Sequence, residues 1–195
     1  MRFGSCFGGI GGFDLGLTRA GWSCRWQAET SPDLRQHLAR PWPEAPHYES
    51  VEAARLALPA VVDIVYADLP GDWTWSVWPL RLVRPTRARW LLVEGRPDRS
   101  AAMLAPSEPL VAAGWRVTYR VMRYVTRTTE GRSSVRQRVW LLAALGGGDP
   151  TAACDALGLD PATPLSKPVP PGDESSAERL ETSVAELELL RGFPV

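Results

Sequence analysis

Three places in the sequence combine residue types and spacings that could support chemistry. In Gly8-Gly9-Ile10-Gly11-Gly12, four glycines stand between an apolar segment and a helical one. A loop without side chains lets backbone N–H groups approach a ligand at the positive end of a helix. Glu29 closes the next apolar segment, "SCRWQAE", where a carboxylate at a strand tip can accept hydrogen bonds from a ribose. The third place is "VVDIVYADLPGDW", Val61 to Trp73, which brings Asp68, Pro70, Gly71 and Asp72 to the end of a buried strand. An α/β enzyme often mounts its reactive group at such an end, and here Gly71 has no side chain to react. The loop and Glu29 together suggest a nucleotide-like cofactor at the carboxyl ends of the strands; a plain tight turn is the alternative for the loop alone. Metal chemistry has little to draw on. Cys6, Cys24 and Cys154 are an odd number without ligand spacing, only His37 and His47 could assist them, and packing is their expected role.

These residues need elements to hold them. The opening "RFGSCFGGIGGFDLGLTRAGW" reads as a strand, the glycine loop, and a helix carrying Phe13, Leu15, Leu17 and Ala20 before a Gly21 stop. "SCRWQAE" reads as a second strand. Ser31 then caps a helix with Pro32 at its first position, and Pro41 stops it. A helix from about Val51 to Leu58 precedes the strand "VVDIVYA", and "RARWLLVEG" is a further strand. A helix near Ala101 to Ala113 leads to "WRVTYRVMRYV" and "QRVWLLAAL", which can pair as a hairpin. Strands alternating with helices predict an α/β fold with a doubly wound, mostly parallel sheet and a terminal antiparallel hairpin.

Past Gly146-Gly147-Gly148 the texture changes. "DPTAACDALGLDPATPLSKPVPPGDESS" is rich in proline and small residues and reads as an extended or irregular tether. In the closing "SSAERLETSVAELELLRGFPV", Ser175 and Glu178 have capping-box spacing, and Leu180, Val184, Leu187 and Leu190 form one apolar stripe. That helix is expected to pack back on the domain.

With 195 residues, 45% of them hydrophobic, the chain can bury one substantial core. No basic leader with a long apolar segment and no run near the roughly 18 apolar residues of a membrane span is present, so a cytoplasmic protein without a membrane partner is expected. The net charge of zero hides an uneven distribution. Residues 1–80 hold six arginines against nine acids, residues 81–138 hold thirteen arginines against four acids, and residues 139–195 hold two arginines and Lys167 against nine acids. An arginine-rich middle suits a polyanionic partner. A GC-rich genome favouring arginine codons on a solvated surface explains it equally well.

The segment "FGGIGGFDLGLTRAGW" resembles the first motif of the DNA cytosine-5 methyltransferase family, whose Phe-x-Gly-x-Gly loop holds S-adenosylmethionine. "DIVYADLPGD" is similar to the family's catalytic-loop strand, "WLLVEGR" to its Glu-Asn-Val motif, and "GWRVTYRVMRYV…SSVRQRVWLLA" to the motif ending in Gln-x-Arg-x-Arg. "ERLETSVAELELLRGFP" is similar to the helix ending in Gln-Gly-Phe-Pro. The resemblance implies a Rossmann-like methyltransferase fold over residues 1–146. It implies that Phe7, Gly9, Ile10, Gly11 and Gly12 line an S-adenosylmethionine pocket, that Glu29 binds the ribose, and that Thr30, Ser50, Val51, Asp68 and Pro70 complete it. Glu94 would contact a target base, and Arg136 and Arg138 would match the two arginines of the later motif. An ion pair with a nearby arginine is the alternative for Glu94. DNA, or alternatively RNA, is the implied partner.

The departures from that family are specific. Gly71 and Asp72 stand where Pro-Cys-Gln supplies the thiolate that attacks a flipped cytosine, and glycine offers no nucleophile. Ser50 stands where the family has an acid that contacts the adenine of the cofactor, and Gly95 and Arg96 follow Glu94. Residues 147–174 form the tether in place of a target-recognition domain, 175–195 are the terminal helix, and the chain ends before the Asn-containing motif that closes the cofactor site. "ADLPGDW" also resembles, without the second proline, the Asp-Pro-Pro-aromatic loop of amino-group methyltransferases. Trp73, Trp75 and Trp78 can stack on an extruded base or pack a loop onto the core. The expectation is a pseudoenzyme or regulatory partner that retains the cofactor. Its alternatives are an active enzyme using Asp68, Asp72 or Glu94, and a partial enzyme completed by a second chain.

Overall fold

The structure is a computed structural model that describes residues 1–57, 60–68, 78–95, 107–127 and 133–156. Seven strands form one sheet: β1 (Arg2–Cys6), β2 (Ser23–Ala28), β3 (His47–Tyr48), β4 (Ile64–Asp68), β5 (Trp90–Gly95), β6 (Trp115–Arg127) and β7 (Ser133–Leu145). Their spatial order is β3-β2-β1-β4-β5-β7-β6. The first five strands pair in parallel, whereas β7 runs antiparallel to both β5 and β6. Strand order reverses between β1 and β4, and a sheet of this kind opens its ligand crevice at that switch point, beyond the carboxyl ends of the strands. The glycine loop and the strand end at Asp68 flank it.

Among the described residues six helices cover the sheet: α1 (Gly12–Arg19), α2 (Pro32–Ala39), α3 (Val51–Leu56), α4 (Trp78–Thr86), α5 (Ser107–Ala112) and α6 (Pro150–Ala156). Alternation along β4 sends Ile64 and Tyr66 to one core and Val65 and Ala67 to the other, as expected of a parallel strand buried on both faces. Phe13 and Leu17 of α1 and Ala153 of α6 pack on the first face with Phe3, Leu92 and Trp140. Val51, Ala54, Val83 and Leu110 from α3, α4 and α5 pack on the second with Cys6, Trp26 and Leu91. Full burial of a Val, Leu or Phe side chain is worth about 1.5–3 kcal/mol, so both faces contribute to stability.

The sequence expectations for β1, β2, β4, β5, the hairpin and the Ser31-Pro32 start of α2 agree with this architecture. Ser31 Oγ accepts from Leu34 N at 3.4 Å. Four features differ, the first being the two-residue β3, which was not among the expected elements. The helix α4 was not among the expected elements; it tolerates two prolines, because Pro79 lies in the first turn, where its missing N–H costs no helical bond, and Pro85 is the next-to-last helical residue. Leu15, placed on the apolar side of α1, is instead 36% exposed, and Asp14 is fully buried. The first residues of the expected irregular tether form α6, because Asp149 Oδ1 accepts from Thr151 N at 3.0 Å and Ala152 N at 3.3 Å, with Pro150 at the first helical position. The terminal helix over 175–195 lies outside the described residues. Among the described residues no helix is long and apolar enough to cross a membrane.

Candidate functional site

The glycine loop leaves β1 through a left-handed turn at Phe7 (φ 57°), and its N–H donates to Ala28 O at 2.8 Å. Gly9 and Gly11 follow with φ of 57° and 79°, conformations that glycine adopts without steric cost. A side chain at Gly11 would meet Leu38 and Trp42, whereas nothing lies within 4 Å of the place a Cβ on Gly9 would occupy. The loop is therefore packed on one side and open at Gly9. Phe7 is buried in the second core face, Ile10 is partly exposed, and Gly12 begins α1.

Beneath the loop lies a residue that the sequence reading passed over. Asp14 Oδ1 accepts from Ser5 Oγ and from Gln27 Nε2, the latter at 2.8 Å, while a Cβ on Gly8 would stand 2.7 Å from Asp14 Oδ2. These contacts tie β1, β2 and the loop together. The one local sign was that Asp14 and Leu17, at i and i+3, share a helix face. Burial pushes the Asp14 carboxyl above its ordinary range, opposed by the hydrogen bonds from Ser5 and Gln27. With the folded value raised, the unfolded chain releases this proton first, so stability falls as pH rises from about 3.8 through the raised value. Asp14→Asn removes the titration. Urea denaturation of both proteins across that interval is expected to show the wild type losing stability relative to D14N as pH rises; parallel curves would remove Asp14 as the cause.

Glu29 follows β2 and is 5% exposed. Its Oε2 accepts from Gly9 N at 3.2 Å, and Oε1 accepts from Ser31 N at 3.0 Å and from Thr30 Oγ1 at 3.4 Å. The carboxylate thus joins the glycine loop to the start of α2. Arg35 Nη1 donates to Glu29 O at 2.7 Å and Thr30 O at 3.0 Å, fixing the same turn from behind. Ser50 Oγ accepts from Ala53 N at 3.0 Å as the cap of α3, and Val51 is buried beneath it.

Across the switch point, Asp68 ends β4 exposed and in register with Glu94 of β5. Glu94 is 5% exposed; its Oε2 accepts from Tyr66 OH at 2.9 Å and its Oε1 from Arg138 Nε at 2.9 Å. The ion pair raised as an alternative in the sequence is therefore formed, with Arg138. Tyr66 stacks on Phe13 of α1 at 3.8 Å between ring centroids, so the Glu94 group rests on the helix that follows the glycine loop. Tyr66 had no signature beyond an aromatic in a strand. Arg136 lies on β7 opposite Tyr124, away from the β5 pairing that ends at Gly95 with Val139. Pro70, Gly71, Asp72, Trp73 and Trp75 lie outside the described residues.

Neither Cys6 nor Cys24 offers a ready thiolate. Cys6 is fully buried, and its thiol is pushed well above the ordinary range by burial and then by Asp14, Glu29 and Glu52. Burial pushes Cys24 up as well. Cys154 lies in α6. Among the described residues no cluster of His, Cys, Asp or Glu could hold a metal ion.

The sheet order, the antiparallel hairpin at its edge and the glycine loop at the switch point define a Rossmann-like methyltransferase fold. Solved structures with this fold include DNMT2 from Spodoptera frugiperda, in a mutant form, at a TM-score of 0.56 and 11% identity, covering 75% of this chain and 50% of that one. The Dnmt2 methyltransferase of S. pombe follows at 0.55 and 13%, covering 80% and 53%. Precorrin-6y C5,15-methyltransferase from Geobacter metallireducens GS-15 is equally similar, at 0.56 and 11%, covering 75% of this chain and 80% of that one. At these identities the likeness is one of fold. The chain spans about half the length of the two Dnmt2 structures. No protein-family model and no curated protein sequence matches it.

Proposed function

We propose that this chain is a cytosine-5 methyltransferase-like protein that binds S-adenosylmethionine at the β1/β4 switch point, engages nucleic acid, and does not itself supply the covalent nucleophile. The observation that carries the reading is the Glu29 carboxylate bound to Gly9 N beside the open face of Gly9. These residues fit the cofactor: Glu29 Oε2, which accepts from Gly9 N, has further acceptor capacity for a ribose hydroxyl, and the glycine leaves room for a close approach. When bound, S-adenosylmethionine supplies an electrophilic methyl group. Glu29 holds and orients it, with Gly9, Ile10, Thr30, Ser50, Val51 and Asp68 around the same strand ends. Glu94, anchored by Tyr66 and Arg138, presents a fixed acid to a base. Gly71 leaves the position of the attacking thiolate empty, and Cys6 is too deeply buried to replace it. The role that remains is regulatory or structural, toward an active enzyme or toward the nucleic acid.

Calorimetry with S-adenosylmethionine and S-adenosylhomocysteine tests the cofactor claim, and binding of neither at millimolar concentration would sink it. Gly71→Cys tests the lost nucleophile. In a retained pocket, G71C is expected to trap DNA containing 5-fluorocytosine as a covalent adduct that survives denaturing electrophoresis, while the wild type traps none. A folded G71C that binds the cofactor and forms no adduct would mean that the pocket has another use.

One observation favours a second reading, an active enzyme without a cysteine: Asp68 is exposed at the strand end and in register with Glu94. A new modified nucleoside found by mass spectrometry, and absent with Asp68→Asn, would replace the first reading with this one.

A further inference from the structure

The opposite ends of the same strands form a cavity of about 380 Å³, whose walls include Arg2, Val61, Asp63, Arg87, Arg89 and Trp90. It lies a strand length from the Glu29 site, about 16 Å for the five residues of β4 at roughly 3.3 Å each. Asp63 organises it. Its backbone carbonyl accepts from both Arg89 N and Trp90 N at 3.1 Å. Its carboxylate accepts from Arg2 N at 2.7 Å and from Arg2 Nη2 at 2.9 Å. Arg2 therefore consumes the one carboxylate among these walls. Arg87 and Arg89 are exposed, and among the described residues neither has an acidic partner. Arg87 also holds a left-handed backbone (φ 55°) where α4 turns toward β5, an uncommon conformation for a residue with a long side chain. Val61, 42% exposed, and the partly buried Trp90 add apolar and aromatic wall beside the guanidinium groups.

We propose that this cavity binds a 5′-phosphorylated nucleotide. Three guanidinium groups against one carboxylate leave two positive side-chain charges, and the Met1 amino group, which also lines the cavity, adds a further cation beside Asp63; the excess of positive charge suits a phosphate monoester, which carries about −1.5 to −2 at pH 7. Guanidinium forks suit phosphate oxygens in paired hydrogen bonds. An indole and valine side chains suit the flat face of a base. The volume stands near the lower end of the roughly 300–1,000 Å³ typical of small-molecule sites, enough for one nucleotide. Two sources share this chemistry, a free mononucleotide and the 5′-phosphate end of a strand.

Calorimetry on the full chain with AMP, adenosine, and a trinucleotide with or without a 5′-phosphate tests the site. AMP is expected to bind at least about tenfold more tightly than adenosine, and inorganic phosphate is expected to compete. Arg87→Gly combined with Arg89→Gln is expected to weaken AMP by about 100-fold, at about tenfold for each charge-assisted contact. Glycine relieves the left-handed backbone, so the melting temperature of the double variant should be unchanged or higher. Glu29→Ala, at the other end of the sheet, should leave AMP affinity intact, which separates this site from the cofactor proposal. Tight binding of the phosphorylated trinucleotide assigns the site to strand ends; binding of AMP alone assigns it to free nucleotides. Equal affinity for AMP and adenosine, no binding at millimolar AMP, or full affinity in R87G/R89Q would each overturn the proposal.

Discussion

Gly4→Ala is expected to lower the melting temperature by about 6–12 °C, a loss of about 3 kcal/mol for a domain of this size. Gly4 sits in β1 at the middle of the sheet, paired with β2 at Trp26 and with β4 at Val65. The Trp26 ring lies across it, so a Cβ at Gly4 would overlap Cε2 and Cζ2 of the indole. Neither side can give way cheaply. β1 is held by hydrogen bonds to strands on both flanks, and Trp26 is 1% exposed within the core on that face. Close packing turns one added methyl into strain across the β1–β2 pair. The same pair carries the glycine loop and Glu29, so the damage should extend to the candidate site. Circular dichroism melts check the size of the effect, and Gly4→Ala combined with Trp26→Leu should recover part of it by making room. A G4A protein melting within a degree of wild type would show that the indole is not confined as the packing indicates.

The parts of this architecture that were legible in the sequence are those set by local chemistry. Gly8 to Gly12, the Ser31-Pro32 cap and the apolar runs before Asp68 and Glu94 each announce an element through residues adjacent in the chain. The contacts that give the site its character are not local. Glu94 is held by Tyr66 and Arg138, 28 and 44 residues away, and only the β4-β5-β7 neighbourhood brings the three together. Asp14 was hidden differently: a carboxylate in an amphipathic helix is normally assigned to water, and its burial depends on Ser5 and Gln27 arriving from two other strands. The start of α6 was lost to composition, because the proline-rich texture after Gly148 outweighed the local Asp149-Pro150 cap. Sequence reasoning therefore located the glycine loop and Glu29 along the chain, while the Glu94 ion pair and the support under the loop required the sheet order.

Glu29→Ala is expected to weaken S-adenosylmethionine binding by about 100-fold. The carboxylate does two jobs that the variant separates from the rest of the fold. It accepts hydrogen bonds from Gly9 N and Ser31 N, setting the loop against the start of α2, and in the proposed complex its Oε2 also accepts from a ribose hydroxyl. Hydrogen bonds to a charged group are worth about 1.5–3 kcal/mol each, and losing about 3 kcal/mol of them gives the 100-fold figure. Glu29→Gln keeps an acceptor for the two N–H groups but removes the charge, so its affinity should fall between wild type and E29A. Titration calorimetry gives the affinities, and melts of the proteins without cofactor give the structural share. A merely structural Glu29 would lower the melting temperature of E29A and leave the affinity of the folded protein unchanged. A ribose-binding Glu29 loses affinity even at temperatures where E29A is fully folded, and S-adenosylhomocysteine should be weakened by the same factor because it carries the same ribose. That equality separates contact at the ribose from any effect at the methyl group, which only one of the two ligands possesses.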